Sequence, residues 1–575
     1  MAQPFTIAEQ LHTKETPIGG ISVALDLDQA NLSNWVMIDR LDDVGGTWYA
    51  NRYPGCRCDV PAVAYSHSRF TNAQWTETHP LHTEIQRYWV NICKTQGLNN
   101  RIRLETDYVK AEWDEDKDVY HVTLRDNKTG KEYTEDYRVI VGATGVFSEP
   151  QRIEVPGEKQ FKGRVVHAAR WPKDLTNEAM HGKTVAVIGN GASGVQIVGT
   201  LGRDDKINLV SIAKSKQWLM PSSSGPITQD TNSSPVSDKL RDIRQRHPWL
   251  QRLHRWAILT YIDRRFYVQW EKEGAAERKR MEKKIGEWMI SRAPEHLKEH
   301  IVPEFPFQAK RYIFEDGYFK AINSPHVRAV FARFQELTPK GVRTDTGEEI
   351  PADIVILATG YNAEHIDMEV TAPKESTNNY KTRADLTWYH GTALPGLPNY
   401  WTTLGGNWVV NHSSVTEILE VQASYITQIV QAMRDNGITR LEVKADAAKA
   451  YDDRIAARLQ RTTWPRIKSS YWQKGGHGRI FTHYPGTVLD QWWDNAWPVW
   501  KDYIGAEKLA RRQQIRKTVA LLALIVAASF GAYKFGPAVV AKSHEIVNRL
   551  YDAVVNAPSI LSNARHSIVS LINRS

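Results

Sequence analysis

The sequence is short of cysteine and of long apolar runs, and each shortage excludes a class of protein. Only 3 cysteines occur in 575 residues, too few to crosslink such a chain, so we expect a reducing compartment. A mean hydropathy of −0.48 excludes a protein with many membrane spans. Residues 1–20 lack an apolar core behind a basic start and do not resemble a secretory signal. The remaining composition, 41% hydrophobic and 24% charged, is that of a globular chain with several domains.

One apolar run, near the C-terminus, is long enough to cross a bilayer. Residues 518–541 hold a single charged side chain, Lys534, and about 20 helical residues span a bilayer core. Residues 501–517 carry 6 Lys or Arg against 2 Asp or Glu. The positive-inside rule then predicts a single-pass membrane protein whose large domain, which precedes this segment, lies on the cytosolic side, and we expect the endoplasmic reticulum. A buried core helix is the alternative.

The net charge of +9 is concentrated in two segments. Besides the basic segment before the apolar run, residues 238–300 carry 16 Lys or Arg and 10 Asp or Glu. The charges in that second block alternate in sign at helical spacing, which is typical of a solvated helical face. Because these two segments account for the whole excess, we expect no nucleic acid as a partner.

The clearest local motif is the glycine-rich sequence KTVAVIGNGASGVQIVGTL at residues 183–201. A β-type run enters a turn containing Gly189, Gly191, Ser193 and Gly194, and a helix-compatible stretch follows. Such glycines permit a tight turn, the approach of a pyrophosphate and close packing of helix on strand. The motif predicts a dinucleotide site, and a glycine-rich turn without ligand is the alternative.

The next strand-like run, residues 207–212, ends in basic and hydroxyl side chains instead of an acid. Lys214, Ser215 and Lys216 follow it after Ala213. Cationic groups at this position suit a 2′-phosphate, so the sequence favours NADPH over NADH. Strand-like and helix-like segments alternate along the rest of the chain, which predicts an α/β protein with parallel sheets.

A sequence upstream of the glycine turn connects the chain with a known family. The residues FKGRVVHAARWP, with Phe161, Gly163, His167, Trp171 and Pro172, resemble the fingerprint of flavin-dependent Baeyer–Villiger monooxygenases. The resemblance extends from about Gly20 to Tyr503 and implies FAD and NADPH as cofactors. Residues 42–59 are similar to the family's flavin-contacting segment. The resemblance implies the following cofactor-binding residues: Asp39 for the FAD ribose, and Thr47, Trp48, Arg57, Asp59 and Tyr65 near the flavin.

Residues 306–318 resemble the segment that carries the family's active-site arginine. On this resemblance Arg311 is catalytic, Asp59 orients it as a second catalytic residue, and Lys310 binds the NADPH 2′-phosphate. The implied reaction inserts one oxygen atom of O2 next to the carbonyl of a small apolar ketone, in secondary metabolism. No metal is expected. Three alternatives stay open: oxidation of nitrogen or sulfur, a catalytically impaired homologue, and a membrane-attached scaffold.

The N-terminus departs from the family pattern. Counting back from Asp39, Glu15 and Pro17 stand where the first two glycines of an FAD-binding loop belong, and only Gly20 remains. A carboxylate repels a pyrophosphate, and proline offers no N–H donor. No β-rich run precedes them, so we expect the central strand of the FAD sheet to be missing or replaced, with an atypical or truncated N-terminus.

These observations predict two Rossmann-like dinucleotide-binding domains, for FAD and NADPH, with a helical insert and a C-terminal transmembrane helix. The predicted segments are the FAD-binding domain at 1–148 and 361–505, its first strand and glycine loop incomplete, the NADPH-binding domain at 149–220 and 301–360, a helical insert at 221–300, a basic juxtamembrane linker at 506–517, a transmembrane helix at 518–541 and a tail at 542–575.

Overall fold

The computed structural model describes residues 9–13, 18–151, 155–221, 233–366, 370–371, 382–467, 472–476, 478–535 and 548–549. Within these ranges the strands are, in chain order, β1 Glu9–Thr13, β2 Trp35–Asp39, β3 Ile102–Arg103, β4 Thr106–Asp114, β5 Val119–Asp126, β6 Glu132–Tyr137, β7 Val139–Gly142, β8 Arg164–His167, β9 Thr184–Ile188, β10 Asn208–Ile212, β11 Leu219–Met220, β12 Ile313–Phe314, β13 Val327–Val330, β14 Phe334–Thr338, β15 Gly341–Thr344, β16 Glu349–Pro351, β17 Ile354–Leu357, β18 Val370–Thr371, β19 Tyr400–Thr402, β20 Glu442–Val443 and β21 Tyr503–Ile504.

The α-helices of the same ranges are α1 Ile18–Gln29, α2 Thr47–Ala50, α3 Ala62–Tyr65, α4 His82–Thr95, α5 Asn177–Met180, α6 Ala192–Leu201, α7 Asp238–Arg246, α8 Pro248–Arg264, α9 Ala275–Arg292, α10 Tyr318–Ile322, α11 Val415–Asn436, α12 Ala445–Leu459, α13 Val488–Asn495 and α14 Glu507–Phe535.

The first parallel sheet has the strand order β19-β7-β1-β2-β3. Its strands β2 and β7 are apolar and almost entirely buried, as expected for strands covered on both faces. Helix α1 packs against α11 beside this sheet. A Cβ placed on Gly20, in the first turn of α1, would lie 3.6 Å from Met37 Sδ of β2, so the helix approaches the sheet closely.

The central strand of this sheet is present, which corrects the expectation that this strand is missing or replaced. Residues 9–13 form β1 and pair in parallel with both β2 and β7, Glu9 aligning with Trp35 and with Val139. Strand propensity depends on context, and two buried apolar neighbours offer hydrogen-bonding partners to a segment that is not itself β-rich. Glu15 and Pro17, the residues that replace the glycines, lie outside the described residues.

The second parallel sheet has the order β13-β10-β9-β17-β8. Its central strand β9 is the β-type run before the glycine turn, and it is paired with β10 on one side and β17 on the other. The backbone N–H of Ala358, just after β17, donates to the carbonyl of Ile188 at 2.8 Å. The carboxyl ends of β9 and β17 therefore meet at the edge where α/β sheets bind ligands.

The remaining elements cover or extend these two sheets. Strands β4, β5 and β6 form an antiparallel sheet that β18 joins, and β14, β15 and β16 form a second antiparallel sheet. Helices α7, α8 and α9 occupy the region expected to be a helical insert. Helix α8 packs against α3, so the region expected to be an insert contacts the helix that ends at Tyr65.

The C-terminal helix α14 is the one described helix that is long and apolar enough to cross a membrane, over Glu507–Phe530. None of that stretch is buried by the rest of the protein. The helix begins at Glu507, so the basic segment expected to be a linker forms its first turns. Residues 536–541 of the expected span, and nearly all of the tail, lie outside the described residues.

Candidate active site

The glycine turn after β9 forms an open cradle at the N-terminus of α6. Gly189 has a φ of +109°, and a Cβ there would lie 2.5 Å from the Ala358 carbonyl oxygen. A Cβ on Gly194 would lie 2.0 Å from the Gly189 carbonyl oxygen, so only glycine lets the helix start here. Gly191, by contrast, faces open space within 4 Å. A phosphate can therefore approach the free N–H groups of α6 at that position.

Lys214 and Lys310, near this cradle, interact electrostatically, and Lys216 forms an ion pair. Burial, and then the charge of Lys214, lower the pKa of Lys310. Neither lysine has a carboxylate partner among the described residues. Lys216 instead places Nζ 2.5 Å from Glu304 Oε1. The Ser215 side chain is exposed, and its carbonyl accepts a hydrogen bond from Asn190 Nδ2 at 2.8 Å.

The residues expected on the flavin side lie at the end of β2 and on two short helices. Asp39 closes β2, is fully buried, and accepts a hydrogen bond from the Leu41 N–H at 2.8 Å. Thr47 begins α2 after Gly46, whose φ is +53°. Trp48 Nε1 donates to Tyr65 Oη at 2.9 Å, which ties α2 to α3. Burial holds the pKa of Tyr65 well above its usual value, so this hydroxyl stays protonated.

Asp59 and Arg311, which are 252 residues apart in sequence, form an ion pair. Arg311 Nη2 lies 2.5 Å and Nε 2.9 Å from Asp59 Oδ2. The third guanidinium nitrogen, Nη1, donates to the carbonyl of Asn411 at 3.2 Å. Both side chains are about a third exposed, 34% for Arg311 and 28% for Asp59, so the fixed cation remains accessible from one side.

Arg57 and Ser193 are directed to protein partners. Arg57 Nη1 lies 3.1 Å from Glu77 Oε2, and its Nε lies 3.4 Å from Asp316 Oδ2. The Ser193 side chain lies close to the hydroxyl of Tyr53. These two residues therefore connect elements of the two domains, and their cofactor-binding role stays a prediction.

The fingerprint histidine joins two segments of the second domain. His167, at the end of β8, accepts a hydrogen bond at Nδ1 from the Ala169 N–H at 3.1 Å. Its Nε2 lies 3.2 Å from Thr359 Oγ1, in the turn after β17, so Nε2 is the protonated nitrogen that donates there. Burial, and then Arg170, lower the pKa of His167 and keep it neutral.

Comparison with known proteins finds the same architecture in a group of oxidoreductases. The profile of the family "Pyridine nucleotide-disulphide oxidoreductase" matches residues 18–230. The chain is 27% identical over 486 residues to the FAD-binding monooxygenase tazF of Aspergillus terreus, covering 82% of this chain and 84% of that protein. It is 28% identical over 484 residues to a Baeyer-Villiger monooxygenase of Streptomyces coelicolor, covering 82% of this chain and 88% of that protein.

Solved structures share the fold. The crystal structure of OTEMO in complex with FAD and NADP superposes with a TM-score of 0.71 at 24% identity, covering 85% of this chain and 96% of that one. Cyclohexanone monooxygenase from Rhodococcus sp. Phi1 bound to NADP+ gives a TM-score of 0.72 at 20% identity, over 87% and 99% of the two chains. The chain is a flavoprotein monooxygenase.

The described residues of the monooxygenase fit both cofactors of these relatives. The cradle at Gly191 is open and lies at a helix N-terminus, which suits a pyrophosphate. Lys214 and Lys310 bring two positive charges together, an arrangement that an anion stabilises. Asp39 lies at the end of the second strand of the first sheet, where an acid binds a ribose hydroxyl in this class of fold.

Sequence reasoning missed several residues that shape the site of the monooxygenase. Tyr53 Oη donates to Gln196 Oε1 at 2.9 Å, and Gln196 Nε2 donates to the Arg57 carbonyl at 3.1 Å. A buried glutamine on the otherwise apolar face of α6 is a signal that could have found this contact. The Asn411 carbonyl beside Arg311 leaves no such signal, because any residue supplies a backbone oxygen.

Proposed function

We propose that the monooxygenase uses FAD and NADPH to insert one oxygen atom from O2 next to the carbonyl of an apolar ketone, giving an ester or lactone. The observation that carries this proposal is the Asp59–Arg311 ion pair, with Nη2 and Oδ2 2.5 Å apart. A carbonyl oxidation of this kind develops negative charge on oxygen, and a guanidinium held in place stabilises such charge at any working pH.

The protein's own contribution is position and electrostatics, since bound NADPH supplies the reducing equivalents and bound FAD the reaction with O2. Arg311 provides the cation, and Asp59 and the Asn411 carbonyl fix its orientation through three hydrogen bonds. An orientation set before substrate arrives costs no reorganisation during the reaction. Asp59 acts here as a positioning residue for Arg311.

The cofactors are assigned to two groups of residues. Gly189, Gly191 and Gly194 form the cradle for the NADPH pyrophosphate, and Lys214 and Lys310 bind its 2′-phosphate. On the flavin side, Asp39 binds the FAD ribose, and Thr47, Trp48 and Tyr65 lie along the flavin.

Aromatic side chains near Arg311 support an apolar substrate. Burial, and then the charge of Arg311, lower the pKa of His483 to about 3, so this imidazole is neutral. Trp472 and Trp464 pack on it, with ring centroids 4.4 and 4.7 Å away. All three rings are almost completely buried. These buried rings exclude water from the side of the cation that His483 faces, and a dry environment there suits a ketone with an apolar body.

The test is the variant Arg311→Ala, assayed with ketone, amine and thioether substrates by product analysis. Because the lost cation stabilises charge that develops only during the reaction, we expect ester formation to fall about 10²–10³-fold. Bound flavin and its reduction by NADPH should be retained. The control is Arg103→Ala, which breaks an exposed ion pair with Glu135 elsewhere in the first domain. An unchanged ester yield in Arg311→Ala refutes the role of Arg311, and oxidised amine or thioether without ester refutes the ketone reaction.

We also propose that α14 anchors the protein in the endoplasmic reticulum membrane with the catalytic domain in the cytosol. The support is an exposed helix whose first turns are basic and whose following residues are apolar. Carbonate extraction of membranes should leave the full chain in the pellet, and a chain with Leu522→Arg and Val526→Arg should move to the supernatant. Equal extraction of both chains would refute the anchor.

We place the reaction in secondary metabolism, on the sequence resemblance to Baeyer–Villiger monooxygenases. Deletion of the gene followed by metabolite profiling tests this assignment. Loss of an ester or lactone product with accumulation of its ketone supports it, and a growth defect in primary metabolism contradicts it.

A further inference from the structure

Large aromatic side chains lie exposed on two helices far apart in sequence. On α8, Trp249, Leu253 and Trp256 follow the spacing i, i+4, i+7 and share one face. Trp249 and Trp256 are 60% and 64% exposed. Large exposed apolar patches mark interaction surfaces, since soluble proteins rarely leave them uncovered.

The second group lies on α13 and just after it. Leu489, Trp492, Trp493 and Trp497 are exposed, Trp497 by 61%. The ring of Trp493 lies 6.1 Å from that of Trp492 and 6.0 Å from that of Trp497, so the three indoles form one cluster. These tryptophans are exposed to solvent, unlike Trp464 and Trp472, which are buried in the core.

A hydrogen bond links the two helices that carry these groups. Asp263, in the last turn of α8, accepts a hydrogen bond from the Val488 N–H at 2.8 Å, which joins the end of α8 to the start of α13. We call the joined surface the aromatic face. Its members are Trp249, Leu253, Trp256, Leu489, Trp492, Trp493 and Trp497.

The aromatic face continues into α14. Gln513 Nε2 donates to the Pro498 carbonyl at 2.9 Å, and its Oε1 accepts from the Trp500 N–H at 3.1 Å. Gln513 lies five residues before the apolar part of the helix, which is about 7 Å along the helix axis. The tryptophan cluster is thus held beside the point where α14 becomes apolar.

Exposed cations flank the aromatic face. Arg252 and Arg264 lie on the exposed side of α8, and Arg511, Arg512 and Arg516 lie on the first turns of α14. Tryptophan is enriched where a protein meets the headgroup region of a bilayer. Lys and Arg beside it are attracted to anionic lipids. A lipid surface fits this arrangement better than a second protein does, because the exposed indoles and arginines adjoin a helix that is long and apolar enough to cross a membrane.

We propose that the aromatic face docks on the anionic surface of the bilayer that α14 enters, so that the catalytic domain lies against the membrane. This inference rests on the proposed membrane anchor, and the experiment below separates the two. It predicts that the domain is held at the bilayer at two sites, by the anchor and by the aromatic face.

The cysteine content of the chain makes a site-specific test possible. Cys56, Cys58 and Cys93 are all buried, so a thiol introduced on the surface can be labelled selectively. We would label full-length Trp256→Cys and Trp493→Cys with nitrobenzoxadiazole. The matched control is Lys131→Cys, an exposed position before β6. Each chain is reconstituted into vesicles of phosphatidylcholine and phosphatidylserine after its flavin content has been checked.

Doxyl-labelled phospholipid should quench the labels at 256 and 493 and leave the label at 131 bright, whereas aqueous iodide should quench only the label at 131. If the chains float with vesicles but iodide quenches all three labels equally, docking of the aromatic face is refuted and the proposed membrane anchor is not. Protection from iodide without quenching by doxyl lipid would mean that protein covers the face, which also overturns docking. Failure of the chain to float with vesicles would overturn both proposals.

Discussion

Removing the charge of Lys310 should weaken NADPH binding and leave NADH binding unchanged. The side chain is partly buried beside Lys214, and no carboxylate among the described residues neutralises either lysine. Two unit charges 4 Å apart interact by about 1 kcal/mol in water and about 4 kcal/mol at an effective dielectric constant of 20. A site between these limits loses about 1.5–3 kcal/mol in Lys310→Ala, which weakens binding by roughly 10–100-fold. Lys214 is exposed, so Lys214→Ala should lose less.

The assay is the dissociation constant of each nicotinamide cofactor, measured by titration, together with the rate of flavin reduction. NADH has no 2′-phosphate, so it serves as the internal control in every variant. The matched protein control is Lys216→Ala, because Lys216 already pairs with Glu304 at 2.5 Å. Its removal should change NADPH binding less than about threefold, as expected for an exposed ion pair.

The same arrangement predicts a pH dependence. Burial and Lys214 lower the pKa of Lys310 in the free enzyme, and a bound phosphate raises it again by favouring the charged form. NADPH binding therefore takes up a proton, and its affinity falls as pH rises through the pKa of the free enzyme, whereas NADH affinity does not. In Lys214→Ala the fall should move to higher pH. Equal losses for NADPH and NADH, or equal effects of Lys216→Ala and Lys310→Ala, would refute the reasoning.

The remaining predictions concern stability. Burial raises the pKa of the Glu417 carboxyl to about 7. The free energy of unfolding therefore decreases as pH rises from 4.5 through 7, because the folded state disfavours the charged carboxylate. In urea unfolding, Glu417→Gln should become more stable relative to wild type by up to about 3 kcal/mol as pH rises from 5 to 8. Burial lowers the pKa of His390 to about 4. The free energy of unfolding therefore falls by up to about 3 kcal/mol as pH drops from 6.5 to 4, because the unfolded state takes up a proton that the folded state does not. The free energy of unfolding of His390→Gln should fall less over the same pH range. Gly55 has a φ of +80° and a Cβ there would lie 2.1 Å from Thr200 Oγ1, so Gly55→Ala should cost more than about 2 kcal/mol. Gly130→Ala, with φ +71° and open surroundings, should cost only about 1 kcal/mol, and equal costs would refute the clash.

Local patterns predicted the nucleotide turn because every requirement for it lies within a few residues. A buried strand, a glycine with positive φ and a glycine at the helix start are fixed by sterics and backbone hydrogen bonds near in sequence. Local patterns do not predict β1. Its strand character comes from pairing with β2 and β7, and neither partner is visible in the five residues themselves.

Which of the predicted cofactor-binding cations are paired with carboxylates also depends on the tertiary structure. The sequence offered Arg57, Lys214, Lys216 and Lys310 as cations near cofactors, and their types alone do not separate them. The structure pairs Arg57 with Glu77 and Asp316, and Lys216 with Glu304, and leaves Lys214 beside Lys310. Which cation is already neutralised depends on carboxylates brought close by packing, often from far along the chain.

By itself the sequence determined the α/β alternation, the glycine cradle and the apolar C-terminal segment with its basic flank, since each follows from residues adjacent in the chain. Only the tertiary structure decided that EQLHT forms the central strand of the first sheet, and which tryptophans are buried in the core and which are exposed. It also decided that Asp59 meets Arg311 across 252 residues. Contacts of that range form only when the chain folds and buries apolar surface, because burial sets which distant groups become neighbours.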